Sequence, residues 1–74
     1  MATVNQKLGI RVRKLRKDLG LSQEKLAAIA KIDYTYLNMI EGGKKNPSIK
    51  RVTRLARALK ISLPELFSFD KKRK

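Results

Sequence analysis

Thr35 and Asn38 stand three residues apart, with Tyr34 before them and Tyr36 between, and they are the side chains best suited to directed hydrogen bonding in this chain. Little else supports specific chemistry. The 74 residues include no His, Cys or Trp, and 6 Asp plus Glu against 19 Lys plus Arg. Imidazole bases, thiol nucleophiles, disulfides and the commonest zinc ligands are therefore missing, and no set of nucleophile, base and oxyanion donors can be assembled. The chain reads as a non-enzyme, with no metal, cofactor or small-molecule ligand expected. A formal net charge of +13 repels itself in the free protein and predicts an anionic partner, either nucleic acid or an anionic membrane.

Holding such side chains in place needs a folded unit, and the length sets its scale. A chain this short makes one domain and buries only about 60% of its unfolded surface. Hydrophobic residues make up 42% of it, too many for a purely disordered basic peptide. One domain over residues 1–69 and a disordered basic tail over 70–74, ending Lys71-Lys72-Arg73-Lys74, is the expected division. The net +13 less those four cations leaves +9 on residues 1–70, so the folded part is itself basic. No stretch approaches the ~20 apolar residues of a spanning helix, and Met1 to Leu19 mixes Lys and Arg throughout, unlike an export signal. No membrane partner is expected. A cytoplasmic protein is expected, and the lack of cysteine fits a reducing compartment.

Val4, Leu8, Val12, Leu15 and Leu19 fall within an arc of about 80° on a helical wheel and predict a first amphipathic helix. Gly20 suits a left-handed cap, with Leu21 folding back on the last turn. Ile10 lies off the stripe, either exposed or touching a neighbouring element. Ser22 is a good N-cap for a second helix over Gln23 to Ala30, with Glu24 in its first turn and Leu26, Ala27, Ile29 and Ala30 at helical spacing. After Lys31-Ile32 a third helix spans Asp33 to Glu41, carrying Leu37 and Ile40 and capped by Gly42-Gly43. Two helices crossing steeply need a small residue at their approach, an apolar one in the turn and apolar anchors beyond; Ala27, Ile32, Leu37 and Ile40 meet those needs. Tyr34, Thr35 and Asn38 are then left facing outward. Beyond the loop at 44–47, Ser48 caps a fourth helix, Ile49 to Leu59, with Val52, Leu55, Ala56 and Leu59 inward and Lys50, Arg54 and Arg57 on the opposite, solvated face. Ser62-Leu63-Pro64-Glu65 is a capping box that opens a last single turn. The fold class is all-α, five helices in one compact unit.

The residues Arg11-Val12-Arg13-Lys14-Leu15-Arg16, Leu21-Ser22-Gln23-Glu24-Lys25-Leu26-Ala27, Ile40-Glu41-Gly42-Gly43 and Asn46-Pro47-Ser48 together resemble the helix-turn-helix family of phage repressor and Cro proteins. The resemblance runs from about Leu8 to Phe67. Within that family, the small size and Asp33-Tyr34-Thr35-Tyr36-Leu37 are most similar to controller proteins of restriction-modification systems. It implies a lambda-repressor-like fold with the helix-turn-helix at helices two and three, in a bacterial or phage protein associated with the nucleoid. It further implies that helix 33–41 enters the DNA major groove and that a homodimer reads a palindromic operator. In similar proteins the positions of Arg16 and Glu41 form a partly buried ion pair tying the recognition helix to helix one.

On that reading Tyr34, Thr35 and Asn38 are the base-contacting residues. Thr35 can donate, accept or touch a thymine methyl, and Asn38 can pair with an adenine edge. The alternative for both is plain solvated surface. The recognition segment has no Lys or Arg, so affinity must come from phosphate contacts by flanking groups. Lys25, Lys44, Lys45, Asn46, Gln23 and Tyr36 are the expected phosphate contacts, with Lys31 and Arg13 also nearby; for each lysine, solvation is an equal alternative. Gln23 stands where the N–H groups opening helix two favour an anion. Dimer contacts are expected from Leu63, Leu66, Phe67 and Phe69, against a role for these residues in the core.

Two departures limit what carries over. The family usually has glycine where this chain has Lys31, and a left-handed lysine costs on the order of 1 kcal/mol, so a slightly remodelled turn is expected. Controller proteins commonly carry arginine at the position of Tyr34, so the operator sequence does not transfer. The leading expectation is a dimeric, sequence-specific transcription regulator. The competing one is an antitoxin or phage-type repressor component whose main role is to bind a protein partner. A third, a nonspecific cationic binder of nucleic acid, would leave Thr35 and Asn38 dispensable.

Overall fold

Thr3 opens the first helix: its hydroxyl accepts the Gln6 N–H at 3.1 Å while the Gln6 side chain accepts the Thr3 N–H at 2.9 Å. That reciprocal pair satisfies two donors that every helix start leaves open. The computed structural model describes residues 3–68, and Phe69 and the basic segment 70–74 lie outside them. The elements are α1 (Val4–Asp18), α2 (Gln23–Ala30), α3 (Tyr34–Glu41), α4 (Ile49–Ala58) and α5 (Leu63–Leu66). No strand occurs among the described residues. Ser22, Asp33, Ser48 and Ser62 cap the later helices through their side chains, each such cap contributing about 1 kcal/mol.

Four helix ends close in one way. Gly20, Lys31, Gly43 and Lys60 all adopt positive φ, at 72°, 59°, 74° and 63°. In each case the next residue's N–H returns to the carbonyl five residues back: Leu21 to Arg16, Ile32 to Ala27, Lys44 to Met39 and Ile61 to Ala56, at 2.9–3.1 Å. Leu21, Ile32 and Ile61 then pack against the core, the apolar contact that accompanies this cap. The remodelled turn expected at Lys31 is not seen. Lys31 itself takes the left-handed conformation that glycine usually supplies, because the returning bond and the burial of Ile32 outweigh about 1 kcal/mol of backbone strain.

Around this frame α1 packs on α3, α2 on both α3 and α4, and α5 on α1 and α4. Leu26, Leu37, Ile40, Leu55 and Leu66 are fully buried, joined by Leu8, Val12, Val52 and the small Ala27, Ala30 and Ala56. Two members of the expected stripe on α1 are corrected. Val4 is 61% and Leu19 46% exposed, because the first helical residue and the C-cap lie at the extremities of α1 while the partner helices cover Leu8 and Val12 between them. Ile10 and Ile29 are exposed as well.

Gly9 determines how closely α1 meets α3. A side-chain carbon built on Gly9 would lie 2.7 Å from the Glu41 carbonyl oxygen and closer still to that of Ile40. Only a hydrogen fits. The backbone of α1 therefore rests against the last turn of α3, which is located from its C-terminal end.

Candidate nucleic-acid interface

Helix α3 buries Leu37, Ile40 and Glu41 and turns Tyr34, Thr35, Asn38 and Met39 to solvent. Its start is fixed by Asp33, whose carboxylate accepts the Thr35 N–H at 3.0 Å. The three expected base-contacting residues thus share one exposed face. Met39, one helical turn after Thr35, joins them; that spacing is visible in the sequence, and the apolar side chain drew no attention to it.

Beside this face the start of α2 and the outer side of α1 form a concavity of about 620 Å³. Arg13, Ser22, Gln23 and Glu24 line one side, Tyr34, Asn38 and Gly42 the other, and Arg16 and Glu41 reach its floor. Arg16 and Glu41 are each only 8% exposed. Arg16 Nε donates to Glu41 Oε2 at 2.7 Å, Nη2 to Oε1 at 3.1 Å and Nη1 to the Leu21 carbonyl at 2.7 Å. A two-pronged guanidinium contact of this kind is geometrically specific, and a buried one is costly to break.

The hydrogen bonds continue outward from the pair. Gln23 Nε2 donates to Glu41 Oε1 at 2.9 Å, and Asn38 Nδ2 donates to Gln23 Oε1 at 3.1 Å. Gln23 is half-buried and stands first in α2, whose opening N–H groups favour an anion. Lys25, Lys44, Lys45 and Asn46 are all exposed.

Tyr36 differs from its neighbours in being half-buried. The Arg51 guanidinium lies over its ring at 4.4 Å from the centroid, and Lys45 Nζ stands 5.7 Å away. Cations so placed are attracted by the ring and hold its orientation. Arg51, in the first turn of α4, is a residue that sequence reasoning missed. Nothing local signals it: the contact joins α3 to α4 across a loop. Arg54, read as solvated, donates to the Lys31 carbonyl at 3.4 Å, while Lys50 and Arg57 are exposed.

The C-terminal residues divide. Leu66 is fully buried and belongs to the core, which corrects its assignment to a dimer surface: a side chain already covered by its own domain has nothing to offer a partner. Leu63 is half-buried and Phe67 is 37% exposed. Phe69 lies outside the described residues.

The helix-turn-helix family profile matches residues 12–66, from the core of α1 to the end of α5. The chain belongs to the helix-turn-helix family. It is 41% identical over 69 residues to control protein C.MunI of a Mycoplasma species, covering 92% of this chain and 93% of that protein. Control protein C.SmaI of Serratia marcescens is 34% identical over 65 residues, 88% of this chain and 77% of its own length. The crystal structure of the restriction-modification controller protein C.AhdI from Aeromonas hydrophila superposes with a TM-score of 0.82 at 42% identity, over 84% of this chain and 94% of that one. This helix-turn-helix protein is accordingly a DNA-binding transcriptional regulator of controller-like type. Among its described residues no helix is long and apolar enough to cross a membrane.

Proposed function

We propose that the protein acts in the cytoplasm as a homodimer on a palindromic operator, with α3 of each protomer in the major groove, and that it controls a restriction-modification locus. The observation that carries this reading is the exposed trio Tyr34, Thr35 and Asn38 on a helix held from behind by Leu37 and Ile40. The trio is uncharged, so it reads base edges, and attraction comes from Lys25, Lys44, Lys45 and the groups about Tyr36, with Gln23 and Asn46 as neutral donors to phosphate. Asn38 is the residue suited to adenine and Thr35 to a thymine methyl or a hydrogen bond. Leu63, Phe67 and Phe69 supply the dimer contact. Similarity to the controller proteins C.MunI, C.SmaI and C.AhdI supports the assignment to a restriction-modification locus.

Selection of preferred sites from random duplexes tests the reading. Two inverted half-sites centred about one helical turn apart, or a multiple of it, are expected. No enriched motif would refute sequence-specific binding, and an enriched motif without inverted symmetry would refute the dimer. Sedimentation of Phe67→Ser should show a shift toward monomer at unchanged helical content.

A further inference from the structure

The hydrogen bonds that leave the Arg16–Glu41 pair have a direction. Glu41 is a carboxylate and can only accept. The Gln23 group facing it must therefore be the donating Nε2, as it is at 2.9 Å. Gln23 then turns its Oε1, which can only accept, toward Asn38, and the Asn38 group facing Gln23 must in turn be Nδ2, at 3.1 Å. Among the described residues no donor reaches Asn38 Oδ1. The buried charge thus sets the orientation of two carboxamides in succession, the second of which stands on the exposed face of α3.

We propose that Glu41, acting through Gln23, fixes the Asn38 carboxamide with its oxygen outward, so that this position selects a base with an exocyclic amino group, adenine above all, against the keto edges of guanine and thymine. The inference rests on the major-groove reading of α3 given above and names what its third residue recognises. An asparagine free to turn over can offer its Nδ2 outward to guanine O6 and N7 or to thymine O4. One held by Gln23 offers an acceptor and a single remaining N–H, which is the complement of adenine N6 and N7. Cytosine, with an amino group and no neighbouring acceptor, ranks second. Gln23 is here a positioning residue: its Oε1 acts on the DNA by way of Asn38, whatever its spare N–H does at a phosphate.

The test uses the full-length protein and the duplex site it selects, with each base pair of one half-site replaced in turn. Asn38→Ala identifies the position that Asn38 reads, by loss of preference there alone. At that position the wild type should favour adenine over guanine by roughly ten- to a hundredfold in Kd, the range of one good base contact. Gln23→Leu removes the constraint and should lower that ratio severalfold, the carboxamide being free to turn its Nδ2 to guanine as well. Gln23→Lys still donates to Glu41 but offers Asn38 only donors, so it turns the carboxamide over and should reverse the preference toward guanine. Thermal melts and the salt slope, measured alongside, separate this outcome from unfolding or a weaker hold on phosphate. The proposal is overturned if Gln23→Leu and Gln23→Lys weaken every sequence alike while the adenine-to-guanine ratio stays put, or if the wild type prefers a keto base there. If Asn38→Ala alters no position, it is the base-reading role of Asn38 itself that fails, a separate result.

Discussion

Arg16 and Glu41, 25 residues apart in the chain, are joined by two hydrogen bonds of 2.7 and 3.1 Å, and the same guanidinium holds the Leu21 carbonyl at 2.7 Å. One side chain on α1 thereby ties down the end of α3 and the turn that leads into α2. Helix α3 is located by this pair on its polar side and by Gly9 against its last carbonyls.

Arg16→Ala should destabilise the protein by about 3–5 kcal/mol, because Glu41 is left buried without its cation. Thermal or urea unfolding reads this directly. Replacing both residues with apolar ones of similar volume should recover much of the loss, since no charge then remains in the interior; stability equal to wild type in the single variant would contradict the burial described.

Gly9→Ala adds one methyl where two backbone carbonyls leave no space, and helix propensity favours the change. The two effects have opposite signs and unequal size. A gain of about 1 kcal/mol in propensity is set against an overpacking cost of about 1–3 kcal/mol and a displacement of α3, since a backbone oxygen cannot rotate aside. The melting temperature should fall and DNA affinity should fall further than the fraction folded explains.

Lys60→Gly should raise stability by about 1 kcal/mol, as the left-handed backbone at φ 63° no longer strains a side chain. For a domain of this size that is roughly 4–8 °C in melting temperature. Lys31→Gly should behave alike, and a lower melting temperature in both would mean that the lysines contribute something beyond their backbone.

Lys44→Ala should weaken binding to all duplexes equally and flatten the logarithmic salt slope by ~0.9 for each phosphate no longer neutralised. Arg51→Ala tests the stacked ring: with the guanidinium gone from the face of Tyr36, affinity should drop through both a missing cation and a freer tyrosine. A Tyr36→Phe background keeps the stack, so Arg51→Ala there should cost about as much as in the wild type.

The helices were legible in the sequence because their signals are local. Ser22, Ser48 and Ser62 announce their helices as caps, and the bounds of α2 follow from Ser22 and the loss of apolar spacing after Ala30. The outward face of α3 followed from Leu37 and Ile40 pointing the other way. The pairing of Arg16 with Glu41 rested on family resemblance, since no spacing rule brings residues on α1 and α3 together. What escaped was long-range or conformational. Gly9 looks like an indifferent glycine in a helix until α3 is laid across it, Lys60 carries no mark of its positive φ, and Arg51 meets Tyr36 only once the loop at 42–48 has turned. Leu66 was misplaced because a single-turn helix shows too few residues to tell its inner side from its outer one.

Since α1 and α3 touch through main chain at Gly9, the anchorage of α3 is indifferent to what its exposed face displays. Exchanging Tyr34 or Thr35 for other polar residues leaves this seat untouched, so under the function proposed above a lineage can drift to a new cognate promoter without rebuilding its scaffold. Asn38 is the exception, bound into the scaffold by Gln23, and under the same proposal the operator position it reads should be the slowest to change.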